Sequence, residues 1–241
     1  MKPIRLLIHG GSGRMGRALT RISATDPSLL VVAVVSRSPM VDLPQGLWFG
    51  PDALADAPSF DVAIDFSLAN GFANVVSVCR ARGAALISGT TGLSDADHAL
   101  RDMAAGDIPL LWAANFSIGV TVLRGLVERA AAALAQWDVD IVELHHQRKV
   151  DAPSGTALML GAAVNAGSGK QPTYHSLRAG DAVGEHNIQF SGEGERIELI
   201  HRAYDRDVFA HGALFAARWL ASQGKGTYTL EDALHVVVKS V

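Results

Sequence analysis

Sixteen consecutive residues, Glu143-Leu144-His145-His146-Gln147-Arg148-Lys149-Val150-Asp151-Ala152-Pro153-Ser154-Gly155-Thr156-Ala157-Leu158, bring together proton donors, cations and a helix start. Ile141–Leu144 reads as the end of a strand, so His145, His146 and Lys149 are expected at its tip, where side chains converge on a ligand. Pro153-Ser154-Gly155-Thr156 then opens an apolar helical run, and the first N–H groups of a helix have no intrahelical partner. Such a terminus holds phosphate or carboxylate through those donors and its positive dipole end. Imidazole titrates near neutral pH, so the stretch joins an anion seat to acid/base groups. Each part has a plainer explanation: surface histidines, a solvated lysine, an ordinary cap. A cap needs only one hydroxyl, however, and does not account for three cationic or titratable groups on the strand before it.

A second constellation lies at the N-terminus. Ile8-His9-Gly10-Gly11-Ser12-Gly13-Arg14-Met15-Gly16 follows a strand and opens a helix, the context a dinucleotide fingerprint requires. Both Gly11-x-Gly13-x-x-Gly16 and Gly10-x-x-Gly13-x-x-Gly16 are legible, and in either reading glycine lets the backbone approach a pyrophosphate. Gly10, Gly11, Ser12, Gly13, Arg14 and Met15 are therefore candidate cofactor contacts. Where a carboxylate would hold the ribose of NAD, the chain has Ser36-Arg37. A hydroxyl and a guanidinium suit a 2′-phosphate, which predicts good use of NADPH. Alternatively Arg37 stacks on adenine and leaves NADPH and NADH equivalent.

Open α/β sheets bind ligands at strand C-termini. Gly89-Thr90-Thr91 and Ala113-Ala114-Asn115-Phe116 occupy two such ends and are expected to meet the nicotinamide, with Phe116 against its ring. Turn chemistry and a core phenylalanine would explain the same residues.

The surrounding elements read as a doubly wound fold. Apolar runs at 4–8, 29–35, 62–66, 84–88 and 110–113 alternate with helical patterns at 14–25, 70–82 and 95–105, the signature of a parallel sheet with helical crossovers. After Asn115 come a helix over about 120–136, the strand bearing the histidines, and a helix over 156–166. Asn187–Phe190 and Arg196–Ala203 alternate as strands do, around a turn at Gly192–Glu195. The expected fold class is α/β: a Rossmann-type parallel sheet plus a C-terminal α+β domain with a mixed or antiparallel sheet. The expected domains are 1–116 with 213–241 for the dinucleotide, and 117–212 for substrate and oligomerisation, with hinges near Asn115–Ser117 and Ala210–Ala213. Residues 167–172 and 179–185 read as loops.

Composition narrows the partners. At 241 residues and 49% hydrophobic, the chain can bury a large core, and its formal charge of −3 offers no basic stripe for nucleic acid or an anionic membrane. Cys79 is the only cysteine, which excludes an internal disulfide and a multi-cysteine metal site; no metal is expected. The start of the chain has no signal-peptide pattern, and the longest uncharged stretch is short and broken by Pro109. Cytoplasmic residence and a small-molecule partner are the expectations.

With these pieces assembled, the chain resembles the 4-hydroxy-tetrahydrodipicolinate reductase (dihydrodipicolinate reductase) family nearly end to end. Glu143 to Ala157 match every fixed position of E-x-H-H-x-x-K-x-D-A-P-S-G-T-A. Gly13–Gly16, Gly89–Gly92, Ala114–Ser117, Phe209–Leu214 and Gly184–His186, the last read as a loop over the site, also look like family signatures. Ser36 departs from the acid common in dual-specificity members, the segment after Arg37 is short, and Asp205 stands where serine is more usual. The resemblance implies NADPH or NADH as cofactor and a dicarboxylate substrate. It implies His145 as proton donor or acceptor, Lys149 as proton donor and substrate contact, and His146 as a substrate contact. Ser154, Gly155 and Thr156 would hold a ring carboxylate with Thr91. The implied reaction reduces the substrate with loss of water: hydride goes to the ring carbon that lost hydroxyl, and a positioned acid completes it. A homotetramer through the second domain's sheet is also implied, to which Ile188–Phe190 and Ile197–Ile200 could contribute. A semialdehyde dehydrogenase would want a cysteine nucleophile, for which Cys79, in a crossover helix, is poorly placed. A nucleotide-sensing regulator would have no use for His145, His146 and Lys149 beside an anion seat.

Overall fold

The computed structural model describes residues 2–40 and 43–234. Residues 235–241, assigned above to the dinucleotide domain, lie outside the described residues. The chain begins with β1 (Ile4–His9), α1 (Arg14–Ser23), β2 (Leu29–Val35), β3 (Trp48–Phe49), a 3-10 helix (Pro51–Asp56), β4 (Val62–Asp65), α2 (Ala69–Arg82), β5 (Ala85–Ser88), α3 (Asp95–Ala104) and β6 (Pro109–Trp112). Next come α4 (Ile118–Ala133), β7 (Asp138–His145), α5 (Gly155–Ser168), β8 (Thr173–Arg178), β9 (Gly184–Ser191) and β10 (Arg196–Ala203), then α6 (Asp207–Leu220), β11 (Gly226–Tyr228) and α7 (Leu230–Leu234). Two compact units result: residues 2–116 with 209–234, and residues 117–208.

The first unit holds a seven-stranded sheet in the order β11-β6-β5-β4-β1-β2-β3, every pairing parallel. Successive residues of a strand point to opposite faces, and here both faces are covered. Leu6, Ile8, Val34 and Ile64 pack with Leu214 and Leu220 of α6, whereas Leu7, Val35 and Ala63 pack with Phe72, Val76 and Cys79 of α2. That explains the unbroken Leu29–Val35 run, since a strand buried on both sides has no polar face. Each buried Leu, Ile, Val or Phe among them contributes about 1.5–3 kcal/mol. Strand order reverses between β1 and β4, the switch point at which such sheets bind ligands.

The second unit holds a mixed sheet, β10-β9-β7-β8, in which β7 and β8 run parallel and the other pairs antiparallel. One face carries α4 and α5 through a core that includes Val127, Ile141, Leu160, Val164, Ile188 and Phe190. Ile188 and Phe190 are fully buried there, so they cannot contribute to a subunit contact. The opposite face presents Val142, Leu144, Leu177 and Ile200, by alternation along β7, β8 and β10.

Two local expectations are corrected, and one strand is added. Gly184-Glu185-His186 begins β9 instead of forming a loop over the site, because its alternation continues that of Asn187–Phe190. β8, unrecognised in the sequence, is an edge strand whose largely exposed residues carry no apolar repeat. Helix α6 starts at Asp207, six residues before Ala213, because Val208 and Phe209 extend its apolar face. No described helix is long and apolar enough to cross a membrane.

Candidate active site

The inner face of the second sheet changes character along its strands. Tyr174, Ile141, Ile188 and Leu199 form an apolar row across β8, β7, β9 and β10. One residue pair further on, the same row positions carry Ser176, Glu143, His186 and His201. The following row carries Arg178 beside His145, and Gly184 beside Ala203. Directly opposed residues on one face are within contact distance, so the sheet register alone gathers carboxylate, guanidinium and imidazoles at the end of β7.

Two helix starts close over these rows. Ser154 caps α5 by accepting from the Ala157 N–H, and its Oγ lies 3.2 Å from His186 Nε2. Ser117 caps α4 in the same way through Val120, with its Oγ 3.3 Å from His201 Nε2. His186 is buried and meets His145 edge-on, ring centroids 5.2 Å apart. Burial holds the His186 imidazole down at about 4 and lowers that of His201.

His145 is 8% exposed and Glu143 not at all. His145 Nδ1 is hydrogen-bonded to Glu143 Oε2, while Glu143 Oε1 accepts from Arg178 Nη2 at 2.7 Å and from the Ser154 N–H at 3.3 Å. Burial opposes ionisation of Glu143, but hydrogen bonds from Arg178, Ser176 and His145 prevail and hold its carboxyl at about 2. Burial lowers His145 below the ordinary imidazole value; Glu143 pulls it up, and Lys149 and Arg178 push it down. Glu143, His145 and His186 offer ligand atoms within 4.8 Å of one another, a spacing open to a metal ion. Both Glu143 oxygens are already engaged by His145 and Arg178.

The remaining residues of the motif surround α5's start. Lys149, in the turn after β7, donates to Asp151 at 2.9 Å. Gly155 is exposed at the first position of α5, Thr156 is partly buried beside it, and Val150 is 95% exposed. His146 Nδ1 is buried without a hydrogen-bond partner among the described residues, and burial followed by Arg206, Arg148 and Lys149 depresses its imidazole.

In the first unit a cleft of about 390 Å³ is lined by His9, Gly10, Ser12, Gly13, Ser36 and Arg37, among others. Gly10 takes φ +84°, and a Cβ there would stand 2.5 Å from Phe66 O at the end of β4. The loop thus lies at the switch point with no room for a side chain. The Gly10 and Gly11 N–H groups donate to Val35 O at 3.0 and 2.9 Å. That leaves α1's first turn, Arg14 and Met15 after the Gly13 N-cap, with no side-chain cap among the described residues. An uncapped helix start beside a close-packed glycine loop fits a pyrophosphate. Beneath it, buried Asp65 accepts from His9 Nδ1 at 2.9 Å, Ser88 Oγ at 2.9 Å, Thr90 Oγ1 at 2.8 Å and the Ser67 N–H at 3.0 Å, tying together the ends of β1, β4 and β5.

Not every expected contact has a free side chain. Ser36 Oγ donates to Ser38 O at 2.7 Å and accepts from Trp48 Nε1 at 3.1 Å, whereas Arg37 beside it is exposed. Thr90's hydroxyl is given to Asp65. Phe116 is 1% exposed and packs edge-on against Phe66, centroids 5.3 Å apart, so its ring is core and not a nicotinamide platform. Gly89 follows β5 with its N–H on Asp65 O, Thr91 is exposed next in the same loop, and Ala113 N–H donates to Ser88 O, bringing the Ala113–Asn115 segment alongside. Glu143's partnership with Arg178, and the inward histidines 186 and 201, escaped the sequence reading. The only available signal was the alternation of β9 and β10.

Residues 4–116 match the family profile described as dihydrodipicolinate reductase, N-terminus, and residues 119–234 match dihydrodipicolinate reductase, C-terminus. The chain belongs to the dihydrodipicolinate reductase family. A 4-hydroxy-tetrahydrodipicolinate reductase of Stenotrophomonas maltophilia (strain R551-3) is 58% identical over 235 residues, covering 96% of this chain and 98% of that protein. One from Xanthomonas campestris pv. campestris (strain B100) is 57% identical, covering 95% and 97%. The dipicolinate-bound dihydrodipicolinate reductase of Paenisporosarcina sp. TG-14 shares the fold at TM-score 0.80 and 23% identity, covering 94% of this chain and 97% of that one. As a member of this family of reductases, the chain is an NAD(P)H-dependent oxidoreductase whose N-terminal unit binds the nucleotide.

Proposed function

We propose that this family member reduces 4-hydroxy-tetrahydrodipicolinate to tetrahydrodipicolinate with loss of water, in the diaminopimelate route to lysine. The observation that carries the reading is the junction of β7 with α5, where a buried imidazole, an ammonium and an exposed helix start meet within one family motif.

When bound, the reduced nicotinamide supplies the hydride. Gly10 to Met15 hold the pyrophosphate, Ser36 and Arg37 flank the ribose, and Gly89–Thr91 with Ala113–Phe116 meet the nicotinamide end through backbone groups. In the second unit, the Gly155 and Thr156 N–H groups and the Ser154 cap form the carboxylate seat, with His146 and Lys149 supplying further contacts. Lys149 neutralises charge on the diacid, and its ammonium protonates the hydroxyl that leaves as water while a neighbouring ring carbon gives up a proton. His145, buried and shielded from bulk water, delivers the proton that completes reduction. Residues 117–208 are the substrate domain. We place the enzyme in the cytoplasm as a homotetramer, assembled through the outer face that bears Val142, Leu144, Leu177 and Ile200.

The test is NADPH oxidation followed at its near-ultraviolet absorbance with freshly generated 4-hydroxy-tetrahydrodipicolinate. Substrate-dependent oxidation is expected; a rate indifferent to that substrate would overturn the assignment.

A further inference from the structure

We propose that Glu143 is a positioning residue that dictates which ring nitrogen of His145 exchanges a proton with substrate. The inference rests on the acid/base role given to His145 above, but it is carried by different observations.

Glu143 and His145 share one face of β7, two residues apart, so the strand itself aims the carboxylate at the ring. The carboxylate is wholly buried and acts only as an acceptor. Oε1 is occupied by Arg178 and the Ser154 N–H, leaving Oε2 for His145 Nδ1. Nδ1 must therefore carry hydrogen, and Nε2 becomes the nitrogen whose proton comes and goes. The surroundings of Nε2 agree. A Cβ added at Gly184 would stand 3.0 Å from it, so a side chain at this position of β9 would crowd that nitrogen.

Arg178 makes the arrangement hold. Its Nη2 also donates to Asp151 O at 2.6 Å, and Nη1 to Leu177 O at 2.6 Å, so one guanidinium fixes Glu143, the edge strand and the turn that leads into α5. A fixed, ionised carboxylate also stabilises the imidazolium that forms when His145 is protonated, the function a buried carboxylate serves beside a catalytic histidine elsewhere.

Replacing Glu143 with glutamine separates orientation from simple space filling. The single amide oxygen would stay with Arg178 and the Ser154 N–H, which turns the amide NH₂ towards His145 Nδ1. Nδ1 must then accept, and the ring is driven into the opposite tautomer. Full-length protein labelled with ¹⁵N-histidine reads this directly. The wild type should show protonated Nδ1 and unprotonated Nε2 above its titration; Glu143→Gln should show the reverse. With substrate, Glu143→Gln should lose about 10²-fold or more in kcat with a much smaller change in KM, and the pH limit of kcat/KM should move to more acidic values. Glu143→Asp should recover part of the rate. Gly184→Ala should depress kcat while leaving the tautomer unchanged.

A wild-type ring protonated on Nε2 would overturn the proposal, and that measurement needs no variant to fold. So would a Glu143→Gln enzyme with unaltered tautomer and pH profile. The expected tautomers combined with a failure to turn over 4-hydroxy-tetrahydrodipicolinate would sustain the role of Glu143 and discard the substrate assignment.

Discussion

The Lys149 ammonium is 2.9 Å from an Asp151 carboxylate oxygen, across the turn that joins β7 to α5. An acidic side chain of the protein therefore holds the cation that a substrate carboxylate would also seek. Exposed ion pairs of this kind are worth up to about 1 kcal/mol, so Asp151→Asn is expected to lower substrate KM by at most about fivefold. Lys149→Ala should raise KM and reduce kcat together, because attraction and proton donation are lost at once. Steady-state kinetics of both variants decide it: an unchanged KM for Lys149→Ala contradicts the binding role.

His145→Ala should reduce kcat by roughly 10²- to 10⁴-fold, the usual worth of a positioned acid, with a smaller effect on KM. Because burial lowers the imidazole below its ordinary value, kcat/KM should fall as pH rises through a midpoint under 6.5 in the free enzyme. A pH profile flat from 5 to 8, roughly the span of imidazole titration, is incompatible with the assignment.

The second unit should be sensitive to mild acid. His186 binds its proton at about 4 when folded against 6.5 when free. The unfolded chain thus takes up protons first, and stability declines as pH drops from about 6.5 to about 4. That loss is on the order of 3 kcal/mol. Glu143 adds a further loss below about 4.5, continuing to about 2. Thermal unfolding followed across this range should show a falling Tm, less steep in His186→Leu. Equal slopes for variant and wild type would remove His186 from the account.

Asp65 anchors the nucleotide end of the first unit. Asp65→Ala leaves His9, Ser88 and Thr90 with buried groups facing a void, and breaking a buried ionic network costs about 3–5 kcal/mol. Urea unfolding should show a midpoint reduced accordingly, whereas an unshifted midpoint would mean that the network is dispensable.

Arg37 is an exposed cation lining the cleft beside the glycine loop, and the Ser36 hydroxyl is spent on Trp48 and Ser38. Arg37→Ala should lower kcat/KM for NADPH by roughly 10- to 100-fold, the worth of charge-assisted hydrogen bonds, and leave NADH little affected. A wild-type enzyme that clearly favours NADH would refute phosphate recognition by this residue.

The sequence alone makes some elements legible and not others. The conformation of the glycine loop between β1 and α1 was readable because it is local: a strand end, a positive-φ residue and a helix start without a side-chain cap are consecutive in the chain. The same holds for β7, its tip and the start of α5. Strand β8 was not readable, because an edge strand with mostly exposed side chains lacks the apolar repeat that marks a buried one. The Gly184–His186 segment looks like a loop in sequence because glycine and a charge resemble a turn, whereas strand pairing with β7 and β10 continues through it.

The sequence by itself determined the α/β class and the family, and it put His145, Lys149 and the glycine loop forward as candidates. Local spacing carries that information, since helix starts, strand ends and their side-chain types are set within a few residues. Tertiary structure alone decided what surrounds His145. Glu143 finds Arg178 35 residues later, and Ser154 finds His186 32 residues later, through strand pairing that no short-range pattern encodes. It also withdrew the Phe116 ring and the Ser36 and Thr90 hydroxyls from the ligand, because buried polar groups and large rings are claimed first by their neighbours in the packed interior.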